Sequence, residues 1–116
     1  MDETICFTYN DFMSTRFVII QVSFPKGFEL NSLIEKLIQS KQAVCVHQFS
    51  PVKSFYEWEG QLESSEEVLI HIKAKQAHFK SIEETIRIDH PYDVAEIISI
   101  PIESMSQPYL DWATSI

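Results

Sequence analysis

From Arg16 to Phe24 the chain alternates with period two. Val18, Ile20, Val22 and Phe24 make one wholly apolar parity, and Phe17, Ile19, Gln21 and Ser23 a mixed one. This is the periodicity of a strand with one side in a core and the other half wet or at an interface. Pro25-Lys26-Gly27 then breaks it. Leu30, Leu33, Ile34, Leu37 and Ile38 follow at i, i+3, i+4, i+7 and i+8, the stripe of an amphipathic helix. Glu29 near its start and Lys41 near its end suit the helix dipole.

Residues 43–62 read as one long extended stretch, bent near Pro51 because a proline in a strand belongs at an edge or a bulge. Glu63-Ser64-Ser65-Glu66 reads as the turn of a hairpin, and Val68, Ile70, Ile72 and Ala74 alternate beyond it. A turn centred on Ser64-Ser65 would pair Leu62 with Glu67, Trp58 with His71 and Tyr56 with Lys73. Phe79, Ile82 and Ile86 mark a second helix over Lys75–Asp89, 93–102 reads as a further strand, and 106–112 as a short terminal helix. The order β-α-β-β-α-β predicts an α+β domain with two helices on one face of a four-stranded antiparallel sheet. The other face would carry Phe17, Ile19, Leu69, His71 and Lys73 with no helix of the chain to cover them. An apolar face of that extent marks an interface, and an oligomer is the simplest remedy.

The 116 residues suit one domain, expected over 15–116, with residues 1–14 as a loosely held extension or with translation starting at Met13. Seventeen acidic against nine basic side chains give a formal charge of -8, which argues against nucleic-acid partners and anionic membrane surfaces. No stretch approaches the ~20 apolar residues that cross a bilayer, and the first residues lack the basic and apolar segments of a secretory signal. Cys6 and Cys45 form no CxxC pair, so reduced thiols in a cytoplasm are expected.

Two groups of residues carry candidate chemistry. Cys45 and His47 stand two apart on a strand and share a face, so they are either half a site for copper or zinc or a structural thiol beside a surface histidine. His71 is the candidate for a third ligand. The hairpin aromatics Tyr56 and Trp58 with Lys73 form a second cluster, closed by His90, Tyr92 and Glu96, which reads as a ligand cleft or as packing between subunits. Glutamates 57, 59, 63, 66 and 67 read as a solvated acidic hairpin tip. With Gly27 and Gly60 the only glycines, no phosphate loop or nucleophile elbow is present, and no HExxH occurs, so the chain is not expected to be an enzyme.

Ala43-Val44-Cys45-Val46, Tyr56-x-Trp58-x-Gly60, Glu67, Lys73, His90-Pro91-Tyr92 and Tyr109-Leu110-x-Trp112 occur in that order. The set resembles the CutA family of divalent-cation tolerance proteins over residues 16–112. The resemblance implies a ferredoxin-like subunit in a tight cytoplasmic homotrimer, related in architecture to PII-type signalling proteins, with sheets facing inward and the hairpin reaching a neighbour. It implies a non-enzymatic role in tolerance to, or binding of, divalent metal ions, copper foremost. The alternative is a PII-like signalling or scaffold module that binds a small molecule or protein tail between subunits. There Tyr56, Trp58, Glu67, Lys73, His90, Tyr92, Glu96 and Trp112 would line the cleft.

Overall fold

In chain order the elements are β1 (Phe17–Pro25), α1 (Asn31–Gln39), β2 (Cys45–Gln48), β3 (Val52–Trp58), β4 (Gln61–Lys75), α2 (Phe79–Asp89), β5 (Ile97–Pro101) and α3 (Gln107–Thr114). A 3-10 turn over Gln76–His78 joins β4 to α2. The structure is a computed structural model and describes residues 16–49 and 51–116, so the expected extension over 1–14 lies outside the described residues. The sheet runs β2-β4-β1-β5, every pairing antiparallel, and β3 continues along β4 as a hairpin. This is the mixed α+β architecture expected, with a third helix at the end.

Alternation decides the core. Val18, Ile20, Val22 and Phe24 of β1 are buried with Val68, Ile70, Ile72 and Ala74 of β4. Onto them pack Leu33 and Leu37 of α1 and Ile82 and Ile86 of α2, so both helix stripes face the same sheet side. Ile38, at the margin of its stripe, stays exposed. Glu29 caps α1: its carboxylate accepts from the Asn31 and Ser32 amides at 2.8 and 3.2 Å. Bonds from the Ser32 side chain and these amides hold its carboxyl below the usual range.

The hairpin departs from the expected register. Trp58 pairs with Gln61, so the turn is Glu59-Gly60 and not Ser64-Ser65. Both turn residues have positive φ, 51° and 78°, as the two-residue loop that follows the strand twist requires. Ser64 and Ser65 remain in β4, which runs for fifteen residues, roughly 50 Å at the ~3.3 Å rise of a strand. Tyr56 therefore faces Glu63, not Lys73, while Trp58 lies far from His71. The partners of Lys73 and His71 are Cys45 and His47.

Nor is 43–62 one strand. Gln48 pairs with Ile70 and Val52 with Glu67, so three residues of one chain segment oppose two of the other. That extra residue at Pro51 works as a bulge. It moves the open-face parity from Cys45 and His47 to Val52, Ser54, Tyr56 and Trp58. The last strand is also shorter than 93–102, beginning at Ile97 and leaving 93–96 as a loop. β4 runs through Lys75, where the second helix was expected to start; that helix begins at Phe79.

The sheet face away from α1 and α2 is not wholly bare. Tyr109 of α3 reaches both Cys45 and Lys73, and Leu110 borders the same hollow as Phe17. Phe17 is consequently buried, against expectation, whereas Ile98 and Ile100 of β5 stay exposed on that face.

Candidate functional site

The open face carries a polar cluster at each end and a pair of histidines between them. At the hairpin end Tyr56 and Trp58 of β3, Glu67 of β4, and Tyr92 and Glu96 of the loop before β5 line a cleft of about 870 Å³. Four carboxylates border it, from Glu63, Glu67, Asp93 and Glu96, and among the described residues no cation does. Glu67 is the buried one, only 8% exposed, at the base of the hairpin and not at its tip.

Tyr92 Oη donates to Glu67 Oε2 at 3.1 Å. Partial burial, and the carboxylate that accepts its proton, push the Tyr92 phenol above its ordinary pKa. His90 sets the ring there. Its Nε2 donates to the Ser23 carbonyl at 2.7 Å, leaving Nδ1 to accept from the Tyr92 amide at 3.1 Å. These two bonds require the neutral Nε2–H tautomer. The His90 ring also stacks on Phe24, which ties the loop to the core.

At the other end Lys73 Nζ donates to Tyr109 Oη at 3.2 Å and sits 4.8 Å from the Tyr109 ring centre, a cation–π contact. Cys45 Sγ lies 3.6 Å from the same hydroxyl, and Trp112 packs beside Tyr109 with ring centres 5.6 Å apart. The eight expected cleft residues are thus split. Tyr56, Trp58, Glu67, Tyr92 and Glu96 meet, His90 holds the rim, and Lys73 and Trp112 belong to the opposite end. The misread register explains this, since a turn five residues earlier slides Lys73 away from Tyr56.

Between the ends His47 and His71 face each other across β2 and β4. Glu96 accepts from Gln21 Nε2 at 2.7 Å, which leaves Gln21 Oε1 to accept from His71 Nε2 at 2.9 Å. Burial, together with the nearby His47 and Lys73, pushes His71 below the ordinary histidine pKa, so the ring stays neutral. A neutral imidazole with Nδ1 uncommitted can bind a metal. Cys45 stands on the same face, two residues along β2 from His47. No three His, Cys, Asp or Glu groups among the described residues gather closely enough to hold an ion. One chain therefore offers a pair of imidazoles and a neighbouring thiol, and not a closed coordination shell.

Two residues of these clusters were missing from the expected set. Tyr109 lies three before Trp112, on the same side of a helix, and that spacing could have flagged it. Gln21 breaks the otherwise apolar centre of β1, the one signal of its bridging role.

Fold and site together define a mixed α+β domain, an antiparallel sheet backed by helices with polar clusters on its open face. A model of the CutA1 divalent ion tolerance protein family matches residues 18–115. The chain belongs to that family. It is 38% identical to the protein CutA homolog of Xenopus laevis over 95 residues, 82% of this chain and 63% of that one. The chain thus spans less than two-thirds of the length of this relative. Among solved structures it resembles CutA1 from Oryza sativa, with 28% identity, TM-score 0.81, and coverage of 89% of this chain and 94% of that one. It also resembles the periplasmic divalent cation tolerance protein CutA from Archaeoglobus fulgidus, with 30% identity, TM-score 0.79 and coverage of 85% and 96%.

Proposed function

We propose that the chain is a ferredoxin-like subunit of a cytoplasmic homotrimer that acts in divalent-cation tolerance by binding metal, copper foremost, without catalysis. The observation that carries the reading is the His47–His71 pair, two imidazoles in register beside Cys45 on an uncovered sheet face. Imidazole and thiolate are the donors that copper and zinc prefer. One chain supplies two or three of them, and a neighbouring copy would complete the shell. Exposed Ile98 and Ile100 supply the apolar surface for that assembly. The free thiol of Cys45 suits a reducing compartment.

The cleft of about 870 Å³ favours a second reading, a PII-like module that takes a small molecule or a protein tail there. Calorimetric titration with Cu(II) and Zn(II) tests the first. His47→Ala and His71→Ala should each weaken Cu(II) binding by at least about tenfold, the scale of losing a metal-site contact. Isotherms identical to wild type would remove these residues from the account. Metabolites raising the melting temperature where metals do not would leave the second reading standing.

A further inference from the structure

We propose that Glu67 and Lys73 form an ion pair between copies of this chain, the Lys73 of one subunit entering the Glu67 cleft of the next. The proposal rests on the homotrimer reading and names the contact that closes it.

Two charges stand without an opposite charge among the described residues. Glu67 is 8% exposed, and the group that bonds it among the described residues is the neutral Tyr92 hydroxyl. The ion pairs seen among the described residues are Lys26–Glu66 and Glu83–Arg87, and neither involves Glu67. A buried carboxylate without a cation is costly, and proteins pair such groups. Lys73 is the counterpart: a half-buried ammonium held by a neutral hydroxyl and a ring face, with no carboxylate on it.

Both project from the same face of the same strand, six residues apart. At the rise of a strand that is roughly 20 Å, too far for the two to meet within one chain. Between them lie Leu69 and His71, flanked by exposed Ile98 and Ile100. The face therefore has an acidic end, a middle that holds Leu69 and His71, and a basic end. A surface of that polarity is complementary to itself when copies meet head to tail, and such contacts close into a ring when the rotation allows. A cyclic trimer repeats one such contact three times.

A charge swap tests this. By light scattering across a dilution series, wild type should keep a three-chain mass to low concentration. Glu67→Lys and Lys73→Glu should each raise the dissociation midpoint at least about tenfold, as losing one partner of a buried pair does. The double swap should recover most of the loss, since every contact regains a pair. A neutral cycle with Glu67→Gln and Lys73→Met guards against misfolding and should be non-additive in the same sense.

A wild type of single-chain mass at every concentration would overturn the trimer reading and the pair with it. A three-chain wild type whose double swap is no better than the worse single variant overturns the pair alone. So does a loss confined to the Glu67 variants, which would show that Lys73 is not its partner.

Discussion

β4 passes through two environments without a break. From Glu67 to Lys75 it lies against β1, with β2 on its other side over Ile70–Lys73, and alternate residues are buried; from Gln61 to Glu66 it has only β3 beside it and is almost wholly exposed. The body half is held by a core on one face. The hairpin half is held by ladder hydrogen bonds and cross-strand pairs, which stabilise an isolated two-stranded ribbon only marginally. Yet the hairpin displays Phe55, Trp58 and Leu62 at 62–78% exposure. An arm that carries its largest apolar side chains outward is built to be finished by another surface.

The largest expected effect tests that division directly. Ile72 is fully buried in the body, and Ile72→Ala should cost about 2–5 kcal/mol in denaturant unfolding through lost burial and the cavity left behind. Leu62 is 78% exposed on the same strand, and Leu62→Ala should change single-chain stability by less than about 0.5 kcal/mol. In the proposed homotrimer its effect should appear instead as a higher dissociation midpoint. Equal losses from the two variants in dilute protein would erase the distinction between body and arm.

A smaller effect sharpens the boundary. Gly60 has φ +78° and open space where a Cβ would sit, so Gly60→Ala meets no clash and carries only the backbone penalty of the left-handed region. That penalty is about 1–2 kcal/mol. Hydrogen exchange should show it at Trp58 and Gln61, whose pairing closes the loop, and not at Ile20 or Ile72 in the body. Faster exchange throughout the sheet would make arm and body one cooperative unit.

The same boundary separates what could be read in the sequence from what could not. Body strands and both helix stripes were legible because burial on one side imposes a period, as Val18 to Phe24 and Leu33 with Leu37 illustrate. In the hairpin no core imposes parity, so turn chemistry decides register; Gly60 supplies the positive φ of the Glu59-Gly60 turn, and a reading centred on Ser64-Ser65 passes over it. Half of the candidate site follows from this. Tyr92 beside Glu67 was expected in the cleft, but placing Lys73 there required a register that the exposed segment does not encode.

The smallest effect belongs to the body half and gives it an acid response of its own. His71 is held below the ordinary histidine pKa by burial, His47 and Lys73, so the folded chain resists the proton that the unfolded chain accepts. As pH falls through about 6.5, the unfolded state binds more protons and native stability declines until the folded-state pKa is passed. Above pH ~7.5 both states are neutral at this site and the effect vanishes. His71→Gln should therefore flatten the decline in melting temperature between pH 7.5 and 5.5. The partly exposed setting keeps the difference under about 1 kcal/mol. An acid decline of the same slope in His71→Gln would assign the response to another group.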